Sequence, residues 1–304
     1  LTAKQLAADS DVIQKLQGIL FNVNDTSANI AASLDALQVN VAKIASITQV
    51  GTIATMSLSA SKVGNDLSAL NKITNPYTIA VSDTSANIAT YLDALQNQIS
   101  HIASITQSVK VGTLNITGAQ YLNDQGALAT LAKSGAYTLT VSKIGTSGLV
   151  SVNTDTHVTS FTISDSAANL AANFDRLNAI GSKLTSIQQN DAAPIAITYS
   201  QFTADTSALS KLTGTYSLGI KNVLVANASA LTSNSHVVNI SLFDTSANVV
   251  NSLDALQAIY KTGKLGSITL GDSPTTPFTL TAKQLAADSD VIQKLQGILF
   301  NVND

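Results

Sequence analysis

The side chains with the capacity for chemistry are few: three histidines and a set of aspartates that recurs along 304 residues. His157 and His236 each stand eight residues before an aspartate, and His101 has no such match. His157 and His236 fall on different repeats, too far apart along the chain to share a metal ion. All three therefore read as packing or solvated groups. No G-x-S-x-G nucleophile turn, GxGxxG or Walker loop occurs, so nucleophilic catalysis and phosphate cradling have no sequence support.

The aspartates carry two readings. Asp25, Asp83, Asp165 and Asp244 each open the phrase Asp-Thr/Ser-Ser/Ala-Ala-Asn, and Asp35, Asp93, Asp175 and Asp254 follow ten residues later. A column of carboxylates would suit calcium. Helix capping explains the first set without any ligand, since an aspartate at a helix start accepts from unpaired amides and suits the positive end of the dipole. The second set reads as solvent-facing. Asn29, Asn87, Asn169 and Asn248 recur with the same fidelity and suggest a ladder of stacked amides at the helix entry. The expectation is of structural residues, with no catalytic, cofactor or metal site and calcium as the one alternative.

These residues sit in a nested repeat. Steps between copies of the first phrase run short, long, long and short, and Asp304 stands where a fifth copy would open. A second phrase, aspartate followed by Leu-x-x-Leu or Leu-x-x-Ile, starts at Asp9, Asp66, Asp124, Asp205 and Asp288. Both phrases close on one common period, because the stretch 1–25 returns unchanged as 280–304. The organisation expected is one full period over 1–279 and the start of an identical one at 280–304. Two long steps contain inserted stretches, Tyr137 to Asp165 and Tyr216 to Asp244. Ten repeats of about 28 residues then fill the period, within the range of solenoids.

Each repeat needs a helix and a strand. Ile30, Leu34, Leu37, Val41 and Ile44 follow Asp25 at spacings of 4, 3, 4 and 3, which predicts one amphipathic helix. Phe174 takes the Leu34 position in the third copy, and the second phrase predicts a shorter helix with Val12 or Ile13 and Leu16 inward. Alternating segments such as 46–48, 77–81, 114–117, 137–141, 161–163, 195–198 and 278–280 predict strands. Strand, helix, strand in like register implies parallel pairing with right-handed crossovers. The fold class expected is α/β: a right-handed repeat solenoid with stacked parallel strands and helices along one side.

Composition narrows function by exclusion. The chain is 45% hydrophobic and only 12% charged, with a formal net charge of -3, so it lacks the basic stripe that nucleic acid requires. No apolar run reaches the roughly 18 residues of a membrane span, so membrane insertion is not expected. Cysteine is absent, which removes disulfides and thiolate sites and fits export in an unfolded, thiol-free form. Thr138-Leu139-Thr140 raises an ice-binding row, but too few segments repeat the pattern to sustain it.

The wording DTSANIAASLDALQ, then KIASIT, then LTAKQLAADSDVIQKL resembles the degenerate repeats of very large secreted surface and matrix proteins of proteobacteria, adhesins and type I-exported proteins among them. The resemblance covers essentially the whole chain. It implies a non-catalytic shaft of an extracellular fibre, adhesin or surface layer, located outside the cell and partnered by its own neighbouring repeats or chains. The GGxGxDx calcium repeats of many such proteins are missing here, so calcium does not carry over. The alternative is a binding module that recognises a polysaccharide or cell-surface glycan, and the third reading is a polyuronate-acting β-helix enzyme, which the sparse Lys and Arg disfavour. Both ends of the sequence fall within the repeat, which leads one to expect a neighbour, covalent or stacked, over the exposed strand edges.

Overall fold

The computed structural model describes residues 1–108 and 111–303, and Asp304 lies outside them. The chain is α/β, with helices and exclusively parallel strand pairs among the described residues, and divides into two compact units: Leu1–Ser142 with Val150–Ser160, and Lys143–Leu149 with the chain from Phe161 onward.

In the first unit, strands Phe21–Asp25 and Ile44–Gln49 pair with Val23 opposite Ile47, and Ile47 in turn bridges Ile73. Met56–Leu58, Ile79–Asp83 and Ile102–Gln107 form a second sheet with Val81 between Leu58 and Ile105. Thr113–Thr117 lies along the first part of Thr138–Ile144, Ile116 opposite Val141. In the second unit, Ile163 of strand Val158–Asp165 faces Ile187 of Leu184–Gln189, and Ile187 faces Leu212. Ile195–Thr198, Leu218–Val223, Val237–Asp244 and Leu265–Leu270 build a four-stranded sheet, with Ile220 between Ile197 and Ile240.

Aliphatic residue thus meets aliphatic residue on neighbouring strands, and Val23, Ile47, Val81, Ile105, Ile163 and Ile187 have no exposed surface. Equivalent inward positions stack into an apolar layer within each sheet, the main favourable term for strands this short. Paired residues such as Val23 with Ile47, or Ile220 with Ile240, stand closer in sequence than the expected repeat length. The difference arises where two strands follow each other before the chain turns back, as Ile44–Gln49 and Met56–Leu58 do.

The single amphipathic helix expected after Asp25 is two helices, Ser27–Ala32 and Leu34–Val39, broken at Ser33 with φ -100 and ψ 11. The same break falls at Tyr91 and Asn173. Helices this short are not stable alone, so packing holds them: Ile30, Leu34 and Leu37 are fully buried, as is Phe174 at the Leu34 position. The two inserted stretches turn on a tighter device. Lys143 and Asn222, at equivalent places in the strands of the two insertions, both adopt left-handed backbone with φ of 56 and 54. Asparagine tolerates that region and lysine does so only at a cost.

Candidate functional site

The polar residues that recur in sequence assemble into joints between successive repeats. At each Asp-Thr/Ser phrase the aspartate closes a strand, and the following Thr26, Thr84, Ser166 or Thr245 is the N-cap, its hydroxyl accepting from the amide three residues on. The expected cap at Asp25, Asp83, Asp165 and Asp244 is therefore displaced by one residue. The aspartate has another task. Its Oδ2 accepts from the first amide of the helix in the preceding repeat: Ala3 N for Asp25 at 3.0 Å, Ala60 N for Asp83 at 3.0 Å, Thr146 N for Asp165 at 2.7 Å and Val225 N for Asp244 at 2.9 Å. It caps a neighbour's helix because the strand end points across the sheet rather than along its own chain.

The asparagines hold this carboxylate in place. Asn29, Asn87, Asn169 and Asn248 each donate through Nδ2 to Oδ1 of the aspartate four residues back, at 2.7 to 2.8 Å. The expected Asn ladder does not form. Strand Phe21–Asp25, which leads into Asn29, pairs with Ile44–Gln49, whereas strand Ile79–Asp83, which leads into Asn87, belongs to another sheet, so these like asparagines do not occupy adjacent rungs. Burial works to raise the carboxyls of Asp25, Asp165 and Asp244. The hydrogen bonds from their asparagines and from backbone amides outweigh it and hold all three below the ordinary carboxylate range.

A second joint had no counterpart in the sequence reading. Asp35, Asp93, Asp175 and Asp254 are exposed, as expected, but each lies against the buried aspartate of the next second-phrase helix: Asp66, Asp124, Asp205 and Asp288. In all four of these, Oδ2 is buried with no N–H donor reaching it, which penalises the ionised form. Burial first, and then the hydrogen bond and charge of Asp35, push Asp66 up to about 6. The same causes, with Asp93 as neighbour, push Asp124 up to about 7. Asp205 and Asp288 are raised in the same direction. Below those values Asp66 and Asp124 carry a proton that can be donated to the neighbouring aspartate.

Beside each pair lies an amide clamp. Gln38 Oε1 accepts from Ala69 N at 2.9 Å, Gln96 Oε1 from Ala127 N at 2.9 Å, Asn178 Oδ1 from Ala208 N at 3.2 Å and Gln257 Oε1 from Val291 N at 3.2 Å. The sequence signal was present as a matched interval: in each joint the step from acid to acid equals the step from clamping amide to the residue whose backbone N–H it accepts.

The histidines have a third shared setting. His101 stacks on Tyr77 with ring centroids 4.0 Å apart, His157 on Tyr137 at 4.3 Å and His236 on Tyr216 at 3.9 Å, all within 9° of parallel. Tyr77 and Tyr137 are buried, so the stacks seal the strand starts, a packing role. Among the described residues no three His, Asp or other ligating side chains converge on one point. A depression in the first unit, about 500 Å³ and open to solvent, is lined by alanines, Met56, small hydroxyl residues and Lys62. No described helix is long and apolar enough to cross a membrane.

The assembled chemistry is that of adhesion between repeats: charge-assisted caps, paired acids, amide clamps and ring stacks. No family model matches the chain, and neither the curated proteins nor the solved structures contain a significant match.

Proposed function

We propose that the chain is a non-catalytic structural repeat, the shaft of an extracellular bacterial fibre, adhesin or surface layer, with its parallel strands continuing as a right-handed solenoid. The observation that carries this reading is the recurrence of one joint: an acid pair with an amide clamp, built four times between successive repeats at Asp35/Asp66, Asp93/Asp124, Asp175/Asp205 and Asp254/Asp288. A joint that depends only on the next repeat extends without limit, the property a shaft needs and an active site does not. The low charge and abundant Ser, Thr and Asn leave the outer surface free to pack against a neighbouring shaft without repulsion.

Negative-stain microscopy of a polypeptide carrying three tandem copies of residues 1–279 tests the proposal. Strands about 4.8 Å apart and ten repeats per period give a rod that lengthens by roughly 48 Å per copy. Compact particles whose longest dimension does not grow with copy number would overturn it.

A further inference from the structure

Residues 1–25 and 280–304 are the same sequence, yet the two copies bury opposite faces. In the first, Ala3, Leu6 and Val23 are fully buried and Ile13 nearly so, while Val12 is 62% exposed and Asp9 is open. In the second, Leu280, Asp288 and Val291 are buried, while Val302, the equivalent of Val23, is 46% exposed. The first helix does not account for the difference, because helix Ala3–Ala8 and helix Ala282–Ala287 carry the same capping box, Thr2 with Gln5 and Thr281 with Gln284. The neighbours differ, and with them the second helix, which spans Ser10–Lys15 in the first copy and Ser289–Ile292 in the second.

The neighbour on the Val291 face is helix Leu253–Lys261. Gln257 Nε2 donates to Asp290 Oδ2 at 2.7 Å and its Oε1 accepts from Val291 N at 3.2 Å. The Lys294 ammonium lies 5.5 Å from the Tyr260 ring centroid. Asp11, Val12 and Lys15 present the same groups in the same order in the first copy, on a face with no such helix over it.

We propose that the Val12 face of Leu1–Asp25 is the docking surface for helix Leu253–Lys261 of a second copy of this chain, with Gln257 clamping Val12 and Tyr260 beside Lys15. This rests on the structural-repeat reading and names the residues of its end-to-end joint. The contact is heterologous, front to back, so it propagates rather than closes. In the chain as it stands the Leu253–Lys261 face is occupied in cis by 280–303, whose effective concentration is on the order of millimolar. A polypeptide of these 304 residues is therefore expected to be monomeric at about micromolar concentration.

Val291→Lys in the full chain loosens the cis copy and leaves Val12 intact. Sedimentation velocity is expected to show an open-ended series of oligomers that grows with concentration, and V12K/V291K is expected to return to monomer. V291A, which removes the Val291 contact without burying a charge, is expected to give the same series at higher concentration, and serves where V291K loses the wild-type circular dichroism. Folded V291A that stays monomeric at about millimolar concentration, the effective concentration of the cis copy, would overturn the joint, as would oligomers that survive Val12→Lys. Rods from tandem copies alongside such a monomer would sink this joint alone, whereas failure of the rods sinks the shaft reading itself.

Discussion

Asp66, only 4% exposed, lies against the solvent-facing Asp35 of the preceding repeat, and burial together with that neighbour pushes its carboxyl up to about 6. Lys62 balances part of the charge at 3.2 Å from Asp35 Oδ2. Both causes favour the protonated form of Asp66 over the ionised one.

Stability is accordingly expected to fall as pH rises from about 4 to 7. An unfolded aspartate releases its proton near pH 4, whereas folded Asp66 and Asp124 hold theirs to about 6 and about 7. In that window the folded chain binds more protons than the unfolded one, so their contribution is complete below pH 4 and lost on passing the folded values. Asp25, Asp165 and Asp244 act in the opposite sense, contributing above about pH 4 and failing as pH drops through their lowered values. Urea midpoints should therefore peak in mild acid. Asp66→Asn, which donates to Asp35 without titrating, should gain on the order of 1 kcal/mol at pH 8 and nothing at pH 4. An unchanged midpoint profile in D66N would remove the raised Asp66 carboxyl from the account.

Asp244→Ala should cost about 2–3 kcal/mol, because it strips a charged acceptor from Val225 N, Thr245 N and Asn248 Nδ2 together. Thr245→Ala, which removes only the N-cap hydroxyl, should cost about 1 kcal/mol. Denaturant melts that rank the two the other way would contradict the cross-repeat cap.

Lys143 occupies left-handed backbone at φ 56, where Asn222 stands in the equivalent turn. Replacing Lys143 by Gly or Asn should stabilise by about 0.5–1 kcal/mol, and a β-branched Val there should destabilise by about 1–2 kcal/mol. Thermal melts of the three variants decide it.

The Tyr–His stacks should show as coupling. A double-mutant cycle of Tyr137→Leu and His157→Ala is expected to return about 0.5–1.5 kcal/mol, from rings 4.3 Å apart and 9° from parallel. A cycle at Tyr77 and His101 should agree within a few tenths of a kcal/mol. Additive single mutants would reduce the stacks to coincidence of packing.

Much of the fold was legible in the sequence. Period-two segments at 114–117, 161–163 and 195–198 are strands, and Ile30, Leu34 and Leu37 form a buried face, because alternation and helical spacing are local consequences of burying one side. The break at Ser33 was not legible. No glycine or proline marks it, and nothing in the residues near Ser33 distinguishes a bent pair of helices from one straight helix.

What the sequence determined by itself was recurrence: which aspartates, asparagines and aliphatics return, and at what intervals. It could not assign partners, because a hydrogen bond from Ala3 to Asp25 or an acid pair between Asp35 and Asp66 joins residues of different elements far apart along the chain. The tertiary structure decided those contacts by setting the register of parallel strands, which brings each strand end over the helix of another repeat. The same decision gives one repeated sequence two burial patterns: its own spacing makes the helices, and only its neighbours choose which face is covered.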